Sequence, residues 1–501
     1  MPEHRFNEPY FELHLSELGP DAVHVFSFEG EEEISRLFEF RLLLLSEDPE
    51  LDPESILNKP ATLVLNVWDQ NPVKIHGIIS QFEQRGRTPA YVLYSAVLVP
   101  RMWRLTLNYQ SAVYQNLPLD QVVDHLLREG GFSASDMDFK LNESYPTLEY
   151  AVQYRETDFD FINRRLEHFG VFYFFDDDDS KDIIVFGDSN QAFIPVDTAE
   201  AIYYDPNRDP LPGVQTINEF NSRARVVTGM IKLKEYNYRY PDRQLLAESQ
   251  IDGSAPGVYY EFGEHFADDA EGEWLARIRN EEIHCQGLRF RGRSECRLLR
   301  PGRTFELAKH YREDWNREYV LLRVRHRGSQ SAMFSRMMPH QEFTLTYENE
   351  FEALPVDMAY RPPRRTPIPR LPGIMFSRVE SAAGDQYAYI DDQGRYHIRL
   401  PFDLSDNAQG EASRPVRLNQ PYSGPNYGIH FPNHADTEMI WACISGNLDR
   451  PIALGTVPNP ANMSPSTGNN KQQSVIRTAG QNELTFDDTA GKENIFLHGT
   501  K

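Results

Sequence analysis

Two histidines and an aspartate in the C-terminal half have side chains suited to holding a metal ion. His430 and His434 lie four residues apart with Asp436 close by, and imidazole and carboxylate groups are common zinc ligands. Pro432 lies between the histidines and prevents the helix that would bring positions i and i+4 onto one face. We therefore interpret both histidines as surface residues of a loop, with a loop metal site as the alternative.

A His–Cys pair and an acidic turn are two further candidates. His284-Cys285 could form an activated thiol, but no base with an orienting partner accompanies it. A buried cysteine beside a histidine on a strand is therefore the preferred interpretation. Asp176–Asp179 supplies carboxylates for calcium but lacks the alternating ligand spacing and the glycine of a calcium loop. We predict that it is a solvated turn.

Common catalytic motifs are missing from the sequence. None of the fifteen histidines is followed by Glu, which excludes an H-E-x-x-H zinc helix. The sequence also contains no G-x-S-x-G nucleophile elbow, no G-x-x-x-x-G-K-[ST] phosphate loop and no G-x-G-x-x-G turn. We therefore predict that the chain is not an enzyme and binds no cofactor and no metal.

Charge is distributed unevenly along the 501 residues. The net charge of −24 argues against general nucleic-acid binding, which depends on neutralising phosphates with Lys and Arg. Arg289–Arg327 nevertheless carries twelve basic and five acidic residues, whereas Glu29, Glu31–Glu33, Glu39 and Glu47–Glu54 make the N-terminal part acidic. A nucleic-acid-binding strip is one interpretation. We favour mutual neutralisation between neighbouring surfaces, within one chain or between copies.

Strand-forming patterns dominate the chain, and helices are few. Residues 1–115 contain alternating or continuous apolar runs separated by charged or Gly/Pro turns, which predicts a barrel or a tightly curled sheet. Helices are predicted over Pro118–Glu129, over 157–170 with Thr157 as N-cap, and over an amphipathic segment at Glu264–Asn280. The predicted fold class is mainly β.

A proline-rich segment marks a domain boundary. Arg361–Pro372 favours extended polyproline II over helix and predicts a semi-rigid spacer. Gly373–Val457 then has short strands with Gly/Asn/Pro turns and no helix, which predicts a small closed barrel of the OB type. Within RYHIRLPF the apolar residues alternate with polar ones and are predicted to line one face: Tyr396, Ile398, Leu400 and Phe402.

Residues 461–501 combine a polar connector with a short hairpin. Leu484 and Phe486 alternate on one strand, and Ile495 and Leu497 alternate on the other. A hairpin this small does not bury its apolar face alone. We therefore expect it to pack against copies of itself or against further chain.

Cysteine content and apolar runs bear on localisation. Three cysteines without a C-x-x-C pair make no disulfide framework and indicate folding in a reducing compartment. The N-terminus shows no basic segment followed by an apolar run, and the longest aliphatic run, Leu42–Leu45, is too short to span a bilayer. If the protein leaves the cell, we expect it to do so without a cleavable signal.

Three stretches of the sequence resemble VgrG, the spike protein of type VI secretion systems, which is related to the hub and spike of contractile phage tails. The stretches are Tyr154–Ile162 with Gly170 after it, much of the predicted barrel, and the terminal hairpin, and the resemblance covers nearly the whole chain in the family's order. The matching positions, which we interpret as structural, are Tyr154, Glu156, Thr157, Asp158, Phe159, Gly170, Asp392, Gly394, Arg395, Gly428, Glu438, Gly446, Asp449, Arg450, Pro451, Gly455, Asp487, Asp488, Gly491 and Glu493.

The resemblance implies a homotrimeric hub and spike. Residues 1–360 would form a phage-hub-like domain of two β-barrel modules, 361–372 a linker, 373–460 an OB-fold barrel, and 461–501 a connector and the beginning of a β-helix spike. The implied partners are an Hcp-type tube hexamer at the hub base, a PAAR-type tip protein, baseplate components, and effectors or their adaptors, with no nucleic acid. Assembly in the bacterial cytoplasm, membrane puncturing, and delivery to the extracellular space or a target cell would follow.

The sequence departs from the family pattern in two places. The family's spike normally continues past the position of Lys501, so we expect either a truncated chain or an unusually short spike. The segment His430–Asp436 is longer than the family's turn and is interpreted as a loop variation. Two other functions stay open: a tail hub–spike of a phage or extracellular contractile particle, and, in a different class, a glycan-binding or hydrolytic toxin module.

Overall fold

A computed structural model describes most of the chain, and contacts between residues divide it into two compact units. The described residues are 9–67, 71–178, 180–198, 200–207, 215–334, 346–381, 385–408 and 410–500. The first unit comprises Met1–Tyr109, Pro118–Thr147 and Glu156–Ile368, and the second comprises Gln110–Leu117, Leu148–Arg155 and Pro369–Lys501. The second unit therefore takes two short segments from the region that the sequence-based boundaries assign to the hub.

The first unit begins with six strands that run side by side. They are β1 (Phe11–Leu15), β2 (His24–Glu33), β3 (Glu39–Ser46), β4 (Pro60–Leu65), β5 (Val73–Arg87) and β6 (Val92–Val99). Their antiparallel order is β1-β4-β5-β6-β3-β2. The buried side chain of Gln330 joins the two outer strands, because its Nε2 donates to the carbonyl oxygens of Phe11 (2.8 Å) and Val25 (2.6 Å).

Short strands and two helices follow. Their bounds are β7 (Tyr109–Tyr114), β8 (Leu117–Pro118), α1 (Leu119–Glu129), β9 (Met137–Lys140), β10 (Thr147–Leu148), β11 (Ala151–Thr157), α2 (Asp158–Phe169), β12 (Phe172–Asp177), β13 (Asp182–Gly187), β14 (Ile194–Pro195) and β15 (Ile202–Tyr204). The predictions for the first two helices are confirmed. Thr157 Oγ1 accepts a hydrogen bond from the backbone of Asp160 at 3.0 Å, and Gly170 ends α2 with φ +69°.

A closed ring of strands forms the second module. The next elements are β16 (Thr216–Ala224), β17 (Met230–Glu235), β18 (Leu245–Gln250), β19 (Val258–Phe262), α3 (Asp269–His284), β20 (Leu288–Ser294), β21 (Arg303–Ala308), β22 (Glu318–Ser329) and β23 (Thr346–Pro355). The sheet continues from β2 through β22-β23-β20-β16-β15-β21, and β21 also pairs with β22, so these six strands close on themselves. Aromatic side chains fill the interior of the ring. The prediction of a mainly β chain is confirmed.

The third helix is displaced from its predicted position. It begins at Asp269 and ends at His284, whereas the sequence pattern placed it over Glu264–Asn280. Asp268 determines the start, since its carboxylate accepts from the backbone N–H of Glu271 at 3.0 Å. His265 has φ +68°, which a continuous helix does not allow.

A buried ion cluster lies inside the first unit, where β2 and β22 are neighbours. Arg300 donates to Glu32 Oε2 at 2.8 Å and to Asp177 Oδ2 at 2.5 Å, and His326 Nε2 lies 3.1 Å from Glu32 Oε1. Burial alone would raise the pKa of Glu32, but Arg300 and His326 lower it to about 2. The cluster therefore holds a charged carboxylate in the interior.

The second unit contains the remaining strands. They are β24 (Ile374–Val379), β25 (Ile398–Arg399), β26 (Ser423–Gly424), β27 (Tyr427–Gly428), β28 (Glu438–Cys443), β29 (Pro451–Thr456), β30 (Gln473–Arg477), β31 (Glu483–Asp487) and β32 (Asn494–His498). One sheet has the order β25-β24-β28-β29. Bridges between Leu418 and Ala453 and between Tyr396 and Val416 lead from β29 back to the residues beside β25. The pairing thus forms a closed circuit.

The core of this circuit includes residues from far upstream in the sequence. Tyr396, Ile398 and Leu400 are buried around Trp441, which confirms their predicted alternation. Tyr150 and Val152 lie in the same core. No local pattern in the sequence linked these two residues to chain that follows almost 250 positions later.

Membrane insertion through a helix finds no support in the described residues. The longest helix there, α3, has sixteen residues and a strongly charged sequence. No helix in the described ranges is long and apolar enough to cross a membrane.

We predict that Arg300→Met destabilises the first unit strongly. The substitution leaves Glu32 charged and buried without its main partner, which costs about 3–5 kcal/mol of unfolding free energy. Chemical denaturation followed by tryptophan fluorescence measures the loss. Arg312→Met, which removes an exposed arginine paired with Asp314, is the control, and equal unfolding curves for the two variants would contradict the assigned role of Arg300.

The low pKa of Glu32 predicts a pH dependence of stability. Its folded-state pKa of about 2 lies below the ordinary value of 4.5. The stabilisation is therefore complete above pH 4.5 and is lost as the pH falls towards 2. Unfolding free energies measured from pH 7 downwards should fall less steeply in Glu32→Gln than in the parent chain, and parallel curves would exclude this carboxylate as a cause.

Candidate functional site

The histidines proposed as metal ligands interact with other groups. His430 Nδ1 lies 2.9 Å from Gln420 Nε2, and its Nε2 lies 3.3 Å from the hydroxyl of Tyr396. The ring of His434 packs against Tyr387 at 5.0 Å. Within the described ranges, no three His, Cys, Asp or Glu side chains are grouped as metal ligands. The interpretation of these histidines as loop residues agrees with this placement.

The cysteine of the His–Cys pair is buried, but the histidine is on a helix. Cys285 is fully buried directly after α3, and its thiol donates to the carbonyl oxygen of Glu282 at 3.4 Å. His284 is the exposed last residue of α3. The prediction of a strand histidine was wrong, because the helix extends four residues beyond the predicted end.

The acidic turn is held by arginines. Asp176 pairs with Arg303 and Asp177 pairs with Arg300, while Asp178 accepts hydrogen bonds from the backbone of Lys181 and Ser180. Burial raises the pKa of Asp177 to about 6, although Arg300 opposes the shift. The prediction of a solvated turn was wrong for Asp176 and Asp177. Asp179 lies outside the described residues.

The family-matching residues from Glu156 to Phe159 lie at the junction between β11 and α2 and hold the two elements together. Arg164 donates two hydrogen bonds to the carboxylate of Glu156, one from Nε at 2.8 Å and one from Nη2 at 2.7 Å. Both side chains are buried. The backbone N–H of Asp158 donates to the carbonyl oxygen of Asn108 at 3.1 Å. Phe159 is half-buried on the same helix. These residues position backbone and helix.

The family residues of the second unit lie mainly in turns. Asp449 Oδ1 accepts the backbone N–H of Val152 at 2.8 Å, and the Tyr154 ring lies 5.3 Å from Phe402. Asp392, Gly394 and Arg395 lie in the turn before β25, and Glu438 begins β28. Gly446 and Arg450 lie between β28 and β29, and Pro451 begins β29. Gly428 and Gly455 lie in β27 and β29, Asp487 ends β31, and Asp488, Gly491 and Glu493 lie in the turn before β32.

One face of the large sheet is striped with charge. Four neighbouring strands each present three side chains of one sign: Glu29, Glu31 and Glu33 on β2; Arg323, Arg325 and Arg327 on β22; Glu348, Glu350 and Glu352 on β23; Arg289, Arg291 and Arg293 on β20. Opposite charges face each other across the strands, as Arg325 and Glu31 do at 3.1 Å and Arg291 and Glu352 do at 2.7 Å. We call this surface the striped face.

Six of the twelve basic residues in the basic stretch 289–327 lie on the striped face. The striped face contains twelve charged residues in all, six positive and six negative. Mutual neutralisation within one chain is therefore confirmed for these residues apart from Arg289, which has no carboxylate partner among the described residues. Exposed pairs of this kind add little stability one by one, so the pairing chiefly balances charge on the solvated side of the sheet.

The proline- and arginine-rich segment begins as part of the first unit. Arg361 is buried, pairs with Glu281 at 2.7 Å and donates to the carbonyl oxygen of Gly170 at 3.1 Å. Arg364 pairs with Glu264 at 2.6 Å. Glu167 accepts the backbone N–H groups of residues 365 and 366, both at 2.9 Å. Sequence reasoning missed this anchoring, since the acidic partners lie about 80 to 200 residues away in the sequence.

The last three strands form a small sheet with one apolar face. Its pairing places Ile476 opposite Leu484 and Leu484 opposite Leu497, and places Phe486 opposite Ile495. Residue positions opposite one another share a face. Ile495 is 70% exposed and Leu497 is 80% exposed. We call this surface the terminal apolar face. Strand β30 was not predicted: Gln473 and Ser474 were read as the end of the polar connector, and the next three residues were assigned to no element.

Two β modules, a smaller β unit and a terminal sheet follow one another along the chain. The sequence profile described as phage tail baseplate hub (GPD) matches residues 31–332. The chain therefore belongs to the phage tail baseplate hub (GPD) family, and along nearly its whole length it is related to VgrG spike proteins of type VI secretion systems.

Three comparisons support this placement. The type VI secretion system spike protein VgrG1b of Pseudomonas aeruginosa is 30% identical over 97% of this chain. The actin cross-linking toxin VgrG1 of Vibrio cholerae is 27% identical over 98% of this chain. The structure of E. coli c3393, a type VI secretion component with similarity to the T4 tail proteins gp27 and gp5, superimposes with a TM-score of 0.66, 25% identity and coverage of 89% of this chain and 100% of that one.

The two curated relatives are longer than this chain. The alignment covers 66% of the Pseudomonas protein and 46% of the Vibrio toxin.

We predict that Glu156→Ala destabilises the first unit by about 3–5 kcal/mol, because Arg164 loses the carboxylate that binds two of its guanidinium nitrogens in the interior. Thr157→Ala removes only a helix cap and should cost about 1 kcal/mol. Thermal unfolding followed by circular dichroism ranks the two. Glu129→Ala, at the exposed end of α1, is the control, and a Glu156→Ala melting temperature equal to that of the control would contradict the structural role.

Proposed function

We propose that the chain forms a homotrimeric hub and spike base of a type VI secretion machine. Membership of the hub family and similarity to VgrG proteins support the hub and spike role. The trimer, its partners and its route of delivery are part of this proposal. We propose that three copies cap an Hcp-type tube, contact the baseplate, carry a PAAR-type tip, and deliver effectors directly or through adaptors.

The terminal apolar face is the observation that carries this proposal. Phe486, Ile495 and Leu497 are exposed on one side of a three-stranded sheet. Complete burial of one such side chain contributes about 1.5–3 kcal/mol. Three copies that wrap their terminal sheets around one axis would bury these residues against one another, which favours a β-helix spike over a free hairpin.

We propose that the two strand modules of the first unit form the base that contacts the tube. Each chain supplies two strand modules, so three chains would supply six around the axis and match a hexameric tube. The division into an OB-type barrel after the hub and a spike from residue 461 belongs to the same proposal. Assembly in the cytoplasm and export without a cleavable signal complete it.

No catalytic step is part of this proposal. The residues that the sequence offers as candidates for catalysis or metal binding make structural contacts. His430 and His434 contact neighbouring side chains, Cys285 is buried, and Asp177 pairs with Arg300. We propose that this chain acts mechanically. A phage tail hub is the second candidate, supported by the profile that matches residues 31–332. The similarity to VgrG1b over 97% of this chain supports the secretion role.

We predict that Ile495→Lys combined with Leu497→Lys weakens the trimer. Two ammonium groups on the terminal apolar face would have to be buried in the assembled spike, which costs several kcal/mol. The mass measured by light scattering over a dilution series should fall towards the monomer at protein concentrations where the parent chain is trimeric.

A matched control lies on the same strand. Asn494 and His498 alternate with these positions and point to the opposite face, opposite Asp487 and Glu483. Asn494→Lys combined with His498→Lys therefore adds the same charge without touching the apolar face and should leave the trimer intact. Equal dissociation of both variants would contradict the terminal apolar face as the contact between copies.

A further inference from the structure

Six arginines surround a cleft of about 280 Å³ in the first unit, at the edge of the striped face. Among the described residues, Glu33 and Glu352 are the acidic ones that line it. The arginines, which define the arginine cleft, are Arg223, Arg225, Arg289, Arg291, Arg323 and Arg365. The lining therefore carries six positive and two negative charges. It includes five residues of the striped face, which as a whole carries equal numbers of both signs.

Half of these arginines are neutralised by carboxylates. Arg291 pairs with Glu352 at 2.7 Å, Arg365 pairs with Glu33 at 2.7 Å, and Arg323 pairs with Glu31. The two glutamates of the cleft are thereby already engaged.

The other three arginines have no carboxylate partner among the described residues. Arg225 donates to the backbone and side-chain oxygens of Gln286. Arg289 donates to the carbonyl oxygen of Leu288 at 3.2 Å and reaches the thiol of Cys285 at 3.8 Å. Arg223 and Arg289 lie directly opposite each other on β16 and β20. Like charges in this arrangement are destabilising unless an anion lies between them.

An acidic loop elsewhere in the first unit has the complementary excess. Glu47, Asp48, Glu50, Asp52 and Glu54 lie between β3 and β4 with no basic residue among them. All five are exposed. Within the described chain none of them forms an ion pair, and the carboxylates of Asp48 and Asp52 accept only the backbone N–H groups of Glu50 and Glu54, at 2.8 Å and 3.0 Å.

The acidic loop does not reach the arginine cleft of its own chain. The cleft lies at the end of β2 that carries Glu33, and β3 begins beside that end, where Glu39 is opposite Glu31. From Glu39 the strand runs seven residues away to Ser46, a length of about 23 Å. The acidic loop and the three arginines that lack a carboxylate partner therefore do not pair with each other within a single copy.

We propose that the arginine cleft binds the acidic loop, residues 47–54, of a neighbouring copy. This inference rests on the proposed homotrimer. A ring of three identical chains requires two different surfaces that fit each other on every copy. A cationic cleft and an anionic loop at separate places on one unit are such a pair, and complementary charge also selects the correct partner and orientation.

Charge reversal on each side tests the contact in the full chain. Arg223→Glu with Arg289→Glu reverses the cleft, and Glu47→Lys with Glu50→Lys reverses the loop. Each double variant should raise the protein concentration at half-assembly by at least about tenfold, because like charges at an interface cost several kcal/mol. The variant that carries all four substitutions should return to within about threefold of the parent.

Matched variants control for net charge. Arg243→Glu with Arg312→Glu, and Glu17→Lys with Asp21→Lys, make the same changes at exposed positions outside both surfaces and should leave half-assembly unchanged. Sedimentation velocity over a dilution series gives the assembly state, and circular dichroism verifies folding of every variant.

A cross-link tests proximity even where the terminal sheet alone holds the trimer. Glu50→Cys with Arg225→Cys should give covalent dimers and trimers on mild oxidation, whereas each single cysteine variant stays monomeric on a denaturing gel. Two of the native cysteines, Cys285 and Cys296, are buried.

The outcomes separate this inference from the proposed function. A trimeric parent whose assembly ignores both reversals and whose double cysteine variant gives no cross-link contradicts the cleft–loop contact alone. The same holds if a free peptide of residues 46–54 binds the assembled trimer at its cleft, since the cleft is then open to another acidic ligand. A monomeric parent contradicts both proposals.

Discussion

Assembly of the proposed trimer depends on apolar surface that a single chain leaves exposed to water. A folded unit must remove most large apolar side chains from water, and both units of this chain do so in their interiors. The terminal sheet leaves one apolar face open, with Ile495 and Leu497 largely exposed on its outermost strand. A three-stranded sheet has no second layer of its own, so only another sheet or another chain can cover it.

The first unit follows a different constraint, which is the balance of charge on a wide sheet. Strand alternation sends every second residue of β2, β22, β23 and β20 to the solvated side, where acidic and basic strands follow each other. Inside, the same strands supply Glu32 and His326 to the buried cluster around Arg300. Residues one position apart thus serve opposite environments, and a shift of register by one residue would bury the stripes.

Sequence reasoning succeeded where the signal is local. Alternation placed Tyr396, Ile398 and Leu400 on one buried face, and a capping residue with a following glycine placed α2 to within one residue. It failed where partners are distant. No local pattern near Asp176 and Asp177 indicates that they pair with Arg303 and Arg300. No local pattern near Tyr150 indicates that it packs in the core around Trp441. The segment that begins at Arg361 was predicted to be an extended spacer, but Arg361 and Arg364 anchor its first residues through acidic partners that are distant in the sequence.

The function depends on how many copies assemble, so the mass of the purified full chain in solution is the most direct measurement. Sedimentation equilibrium should give three times the chain mass of 58.0 kDa, with the mass unchanged on moderate dilution. A single-chain mass at every concentration would leave the terminal apolar face uncovered in solution and would contradict the homotrimeric hub and spike.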